Sequence, residues 1–342
     1  MKKKVSISGL FPEEIAELLH LSPAFRAKQI YEWFSKGAET FEQMTNIDKA
    51  TRKFLEENAL LRSSRVTKAL KDTDGTIKLQ ITLSDGLAIE TVLLTDKEGR
   101  KTACVSCQAG CAMGCAFCQT GRLGLGRNLT AGEIVEEFFF MEKEAGTLDN
   151  IVFMGMGEPL QNLDAIRKAV AILTDKKGRC LSPRRITLST CGLINGIYDL
   201  AENGPFVRLA VSLTTADPAL REQLMPAARG NPLPELKKAI KFYSEKTGKR
   251  ITLEAALLSG QNTGAESAKR MIEFAAGLDA YINLIPWNPV QGLQFKTPSR
   301  NECEEFVRIL ERAKLKVNLR IKRGAKIGGA CGQLGRSVSS ES

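Results

Sequence analysis

"CVSCQAGCAMGCAFCQTG", Cys104 to Gly121, holds five of the chain's nine cysteines within fifteen residues. Three of them, Cys111, Cys115 and Cys118, are spaced C-x3-C-x2-C among small residues, which lets backbone and sulfur crowd around a bulky inorganic centre. A structural zinc site takes four ligands, commonly as two C-x2-C pairs, and this motif is one short. Three thiolates on a four-iron cluster leave one iron open to a further ligand. Phe117, between the last two thiolates, is placed to shield such a centre. A zinc knuckle and three merely buried cysteines are the rival readings.

The rest of the composition narrows the class. With 342 residues, 43% of them apolar, the chain can bury one large core and a smaller one. The start, "MKKKVSISGLFPEE", has no apolar h-region, and no run approaches the roughly 18 apolar residues of a membrane span. A soluble, cytoplasmic protein without a membrane partner is expected. Nine cysteines, this clustered, favour metal or redox chemistry over a secreted disulfide scaffold. Lys and Arg number 49 against 39 Asp and Glu, a net charge of +10 that suits a polyanion such as RNA and equally suits a merely basic protein. The single histidine, His20, falls on the predicted helix "PEEIAELLHL" as an ordinary helix residue, so any general base must be a carboxylate, a lysine or a thiolate.

Upstream of the cysteines lie two differently patterned regions. Residues 1–62 read as a small helical domain, with "SPAFRAKQIYEWFSKG" opening on a serine cap and setting Ile30, Trp33 and Phe34 on one face, and "DKATRKFLEEN" as a further helix. Residues 63–97 read as an antiparallel β extension, with Asp74-Gly75 and Asp85-Gly86 as hairpin turns. Downstream, over 98–342, strand candidates alternate with helical patterns: "KTACVSC", "NIVFMG", "RRITLST", "VRLAVSL", "RITLEAALL", "AYINLIP" and "KVNLRI". Alternation of this kind gives a parallel α/β sheet, here an open or partial barrel of six or seven units. The Ser-rich tail "SVSSES" is expected to fray.

Barrel topology collects active sites at the carboxyl ends of the strands. The cysteine loop follows the first strand, "GMGEP" the second, "STCG" the third, "SLTT" the fourth, "PWNP" the sixth and "GGACGQL" the last, so all six are expected on one rim.

The cysteine spacing is identified as the signature of the radical S-adenosylmethionine superfamily. That resemblance implies a partial (β/α)6-type radical SAM barrel and a [4Fe-4S] cluster held by Cys111, Cys115 and Cys118. It implies too that S-adenosylmethionine is chelated at the open iron and cleaved by one electron to a 5′-deoxyadenosyl radical. Other parts suit such a cofactor. Gly157 would let backbone approach it, Glu158 offers a carboxylate to an ammonium group, and Ser189 and Asn288 are hydrogen-bond candidates. Taken singly, "GMGEP" reads as a strand-ending turn and the other two as loop polar residues.

"TACVSCQAGCAMGCAFCQTG", "FMGMGEPLQN", "RRITLSTCG", "NLIPWNP" and "GACGQL", in this order, resemble the RlmN/Cfr family of radical S-adenosylmethionine RNA-adenine methyltransferases. The likeness reaches back through "FRAKQIYEWF" and "AIETVLL", nearly the whole chain. It implies that Cys331 is methylated by ordinary polar transfer, that a radical takes hydrogen from its S-methyl group, and that the resulting carbon adds to an adenine. Cys104 would then attack Cys331, giving a transient disulfide and the methylated base. Glu90, in "LAIETVLL", would accept the ring proton, and its apolar neighbours favour a raised pKa. An exposed strand glutamate and a small buried Cys331 are the plainer alternatives. Cys107, Cys180, Cys191 and Cys303 are read as structural, with Cys107 and Cys191 near the site.

Two departures mark this chain. Where the family commonly has Ser-Leu-His, "SLTT" supplies Ser212, Leu213 and Thr214 as the corresponding cofactor contacts. The run before Cys331, usually acidic, is "RGAKIGGACGQL", which sets Lys326 beside the substrate. The resemblance implies methylation of adenine C2 in 23S rRNA and in tRNA, with C8 methylation or another RNA target as the alternative. It implies an electron donor such as flavodoxin or ferredoxin, and a monomer. A zinc-stabilised, non-catalytic RNA-binding protein is the alternative from another class.

Overall fold

The computed structural model describes residues 4–335. The helical start becomes α1 (Pro12–Leu18), α2 (Phe25–Ser35) and α3 (Lys49–Asn58), with two short parallel strands, β1 (Val5–Ser6) and β2 (Ala59–Leu60), at its flanks. Asp48 caps α3, its carboxylate accepting from the Thr51 N–H at 2.9 Å. Two local expectations fail. Ser22 does not cap α2, because the helix starts only at Phe25 with Ala24 as its N-cap. His20 lies beyond the end of α1, in a left-handed turn at φ 49°.

β3 (Arg65–Lys71), β4 (Ile77–Thr82) and β5 (Ala88–Thr95) run antiparallel, and the turns between them fall at the two Asp-Gly pairs. Gly75 and Gly86 take φ of 83° and 87° there, a conformation that strains other residues. These strands do not form a sheet of their own. β5 pairs antiparallel with β6 (Lys101–Val105), which joins them to the parallel part.

The cysteine loop itself folds into a small hairpin that the sequence pattern did not reveal. It consists of β7 (Gln108–Cys111) and β8 (Gly124–Asn128), with the single turn α4 (Gln119–Arg122) between them. Then come β9 (Asn150–Phe153), β10 (Ile186–Thr190), β11 (Arg208–Ser212), β12 (Ile251–Leu257), β13 (Ala280–Pro286) and β14 (Lys316–Leu319), all parallel to β6. The crossovers carry α5 (Ala131–Ala145), α6 (Leu163–Thr174), α7 (Ile194–Asn203), α8 (Pro218–Leu224) with α9 (Leu233–Thr247), α10 (Ala265–Ala275) and α11 (Arg300–Arg312). The ten-stranded sheet has the order β14-β13-β12-β11-β10-β9-β6-β5-β4-β3. It is open, with β3 and β14 as edges, so the fold is a partial barrel with a mixed margin. No helix among the described residues is long and apolar enough to cross a membrane.

α5 ties the N-terminal helices to this sheet, and it does so with buried acids. Glu136 accepts from the Ser8 hydroxyl at 2.6 Å and the Ser63 and Ser64 N–H groups at 2.7 and 2.9 Å. Glu133 pairs with Arg127 at 2.8 Å and caps its own helix through Thr130. Glu137 accepts from the Ser106 N–H at 2.8 Å, just beyond β6, and burial pushes its carboxyl well above the usual carboxylate range. Apolar contact completes the joint, with Phe34 and Phe139 edge to face at 4.9 Å. The tail "SVSSES" lies outside the described residues.

Candidate active site

The strand ends meet on one rim and enclose two adjoining cavities. The inner one, about 180 Å³, is lined by Cys111, Cys115, Cys118, Glu158, Ser212 and Thr214 among others. The outer one, about 530 Å³, is lined by Cys104 and by the basic residues Lys97, Arg100, Arg320, Lys322 and Arg323. Met154, Ile285, Asn288 and Cys331 belong to both walls. Cys331 therefore stands at the boundary between the trio of thiols and the basic cavity.

The cysteine loop and the Cys331 loop are stitched together. Gln119 N donates to Gly332 O at 2.8 Å and the Thr120 hydroxyl to Leu334 O at 2.8 Å. Trp287 Nε1 donates to Phe117 O at 2.9 Å, and Phe117 lines the inner cavity beside the thiols. Burial pushes the Cys111 thiol up to about 12 and Cys115 higher, and the charges of the neighbouring thiols act in the same direction. Two features fit an iron–sulfur cluster with a bound cofactor. The donor set is three thiols on one wall, one per iron with a corner to spare. Asn288, 4% exposed, directs Nδ2 to Cys331 O at 3.2 Å and leaves Oδ1 buried without a hydrogen-bond partner, an acceptor available to a ligand donor. Among the described residues no three His, Cys, Asp or Glu side chains close around a single point as for one mononuclear ion.

Gly157, Glu158, Ser189, Ser212 and Thr214 also line the inner cavity, several of them with their polar atoms engaged by the protein. Glu158 lines the inner cavity, but Leu160 N and Cys191 N, at 3.0 and 2.8 Å, already use its oxygens, and burial raises its pKa. Gly157 is required by protein packing: a Cβ there would lie 2.8 Å from Cys107 Sγ and 2.6 Å from Gln108 Cβ. Ser189 Oγ donates to Glu254 Oε2 at 2.9 Å. Glu254, a cavity residue that the sequence reading missed, was marked by the same signal as Glu90, one carboxylate inside an apolar strand. Leu213 is buried and lines neither cavity, whereas Thr214 lines the inner one at φ 60°, held by Thr214 N to Glu254 O at 3.0 Å and by Asn262. A β-branched residue in that conformation is costly, by about 1–2 kcal/mol. Cys191 lines the inner cavity, Cys107 is buried behind it, Cys303 is packed in α11 and Cys180 is exposed in a left-handed turn.

Cys104 is 6% exposed, and burial, followed by the charge of Cys331, raises its thiol, with Arg320 acting against them. Cys331 is accessible through the cavities, yet its sulfur lies deep enough that desolvation raises it too. Glu90 lines neither cavity. It is fully buried, pairs with Lys78 Nζ at 2.9 Å and accepts from Gly335 N at 2.7 Å. Lys78 reaches Gly328 O at 3.3 Å, and Asp74 accepts from Gly324 N at 2.8 Å, so the β3–β5 edge fastens the Cys331 loop at three points. Lys326 turns away to Thr73 and is not a cavity residue. Lys78→Met should destabilise the protein by about 3–5 kcal/mol, because it strands a buried carboxylate, and Lys78→Met with Glu90→Leu should recover most of that in chemical denaturation.

The sequence matches the Radical SAM superfamily over residues 105–275 and the "Ribosomal RNA large subunit methyltransferase N-terminal domain" over residues 20–61. It is 57% identical over 338 residues to a "Probable dual-specificity RNA methyltransferase RlmN" of Treponema denticola, spanning 99% of this chain and 97% of that one. The protein of that name from Treponema pallidum is 51% identical over 97% of this chain and 98% of its own. The fold superposes on the crystal structure of a radical SAM methyltransferase from Sphaerobacter thermophilus, 40% identical, with a TM-score of 0.93 over 97% of this chain and 99% of that one.

Proposed function

From a chain that belongs to the RlmN-type dual-specificity RNA methyltransferases of the radical SAM superfamily, we propose an enzyme that methylates C2 of an adenine, in 23S rRNA and in tRNA, through a methyl group carried on Cys331. Superfamily membership implies a [4Fe-4S] cluster and S-adenosylmethionine, and we assign Cys111, Cys115 and Cys118 as the cluster's ligands. The observation that carries the reading is that Cys331 faces both cavities, the inner one with the three thiols and the outer one with Cys104 and a basic rim.

The bound cluster supplies the electron that cleaves S-adenosylmethionine and thereby the radical that removes a hydrogen atom from the carried methyl. Everything else falls to the chain. The Cys331 thiolate first takes a methyl group from a sulfonium, and the S–C bond formed replaces the one broken. Asn288 holds the Cys331 carbonyl, and its free Oδ1 orients the cofactor. After the carbon has added to the ring, Cys104 attacks the Cys331 sulfur. The S–S bond forms as the S–C bond breaks, the ring loses its C2 proton, the new methyl takes one up, and one electron returns to the redox partner. An external thiol or reductant then supplies two electrons to reopen the disulfide. Glu90 is the assigned proton acceptor. It is buried between Lys78 Nζ and Gly335 N, on the strands that fasten the Cys331 loop.

Arg320 and Arg323 at the outer cavity suit phosphates, Arg100 being paired there with Asp96 and Glu98, and the helical region 1–62 and the β extension 63–97 would hold the folded RNA. The enzyme would act as a cytoplasmic monomer served by flavodoxin or ferredoxin. Mass mapping of RNA with and without the gene tests this reading. Deletion should remove 2-methyladenosine, and loss of 8-methyladenosine instead would overturn the choice of carbon.

A further inference from the structure

Arg221, on α8, is 1% exposed, one of the largest fully buried side chains in the molecule. Its guanidinium donates only to backbone carbonyls from three separate loops: Cys191 O at 2.8 Å, Leu213 O at 3.3 Å and Asn231 O at 3.4 Å. Among the described residues no carboxylate lies within ion-pair distance of it. Glu222, the next residue in sequence, is exposed and makes no ion pair with it, and Asp217, one turn earlier, is used by Arg270 at 2.8 Å and by Leu220 N. Glu158 lies on the far side of the Cys191 peptide, where its oxygens are taken by Cys191 N and Leu160 N. A buried cation without an anion is costly, and such groups are normally paired. The helix of Arg221 docks on the cysteine loop, Leu224 O accepting from Ala116 N at 2.9 Å next to Cys115, and while burial lowers the pKa of the guanidinium, the Cys191 and Cys115 thiols act the other way. The approach is built in: Gly192, at φ 97°, has no Cβ, and one placed there would lie 3.2 Å from Arg221 Nη2.

We propose that Arg221 is the counter-charge of the iron–sulfur cluster and raises its reduction potential, an inference that rests on the assignment of Cys111, Cys115 and Cys118 as cluster ligands. A four-iron cluster on three thiolates carries one net negative charge when oxidised and two when reduced. A fixed cation on the helix that docks beside Cys115 stabilises the second charge more than the first, in a medium where charges are weakly screened. The electron still comes from the external donor, and no bond changes. Arg221 is thus a positioning residue for charge: it touches neither substrate nor cofactor and lines neither cavity.

The test uses anaerobically reconstituted full-length protein, with iron counted and the cluster's midpoint potential measured by EPR-monitored titration. Wild type and Arg221→Lys, which keeps the charge, should share one potential. Arg221→Gln should bind the same iron yet show about a tenfold smaller equilibrium constant for reduction, ~59 mV more negative for one electron. An unchanged potential in Arg221→Gln, or a shift in Arg221→Lys as large, would overturn the proposal, the latter by showing that packing sets the potential. Should Arg221→Gln not fold, Asn231→Asp adds a negative charge on the residue whose backbone carbonyl Arg221 reaches, its Oδ1 still able to accept from Ile194 N, and the proposal fails if the potential stays put. Wild-type protein without iron would instead sink the cluster assignment on which this rests.

Discussion

Cys331→Ala is expected to lower RNA methylation by at least about four orders of magnitude, the scale that follows removal of a covalent nucleophile. The iron content should stay at about four per chain. The selectivity follows from the surroundings. The contact from Asn288 Nδ2 is made to the backbone carbonyl of residue 331, which alanine keeps, and the stitches to the cysteine loop use Gly332 and Leu334. The side chain itself is accessible, so its loss opens no core cavity. The variant therefore separates carrying the methyl group from building the site. Methylated RNA formed at an ordinary rate by this variant would remove Cys331 from the mechanism.

The second large effect is of another kind. Cys104→Ala should permit the carbon–carbon bond to form but not the release, so the protein should stop after one event with RNA attached through Cys331. The expected observation is a covalent protein–RNA band that survives denaturation and is absent from the Cys104→Ala, Cys331→Ala double variant. Two features support the proposal that Cys104 is the releasing group. It shares the outer cavity with Cys331, whose charge adds to burial in raising the Cys104 thiol. Burial holds its thiol protonated at rest, while Arg320 nearby favours the thiolate needed for attack. A Cys104→Ala enzyme that turns over freely, without a crosslink, would show that another group opens the adduct.

Much of this was legible in the chain because the signals were local. The seven parallel strands each read as an apolar run before a loop carrying a cysteine, glycine or polar residue, and topology alone then gathered those loops on one rim. What escaped was long-range. Lys78 and Glu90 lie on adjacent strands, and only the pairing of β4 with β5 makes them an ion pair. Gly157 reads as space for a ligand and does line the inner cavity, but the room a Cβ would need there is also taken by Cys107 and Gln108 from the neighbouring segment. Arg221 carried no signal, since a basic residue on a short amphipathic helix is ordinarily solvated. The antiparallel strands after Arg65 were visible, but their fusion to the barrel sheet depends on β5 meeting β6.

Glu254 shows how a local rule could have been extended. A lone carboxylate within "RITLEAALL" has the form that singled out Glu90 in "LAIETVLL", and both turn out buried and bonded to polar partners. Only Glu254 reaches a cavity, through its contact with Ser189.

On the proposed assignment, Cys111, Cys115 and Cys118 bind iron and leave one iron open to the methyl donor. Anaerobic purification followed by iron and sulfide analysis tests that in one step. Brown protein holding about four irons per chain is the expected result, with loss of the colour when the three cysteines are replaced. Colourless protein that takes up no iron on reconstitution, or a triple variant that keeps its full complement, would contradict it.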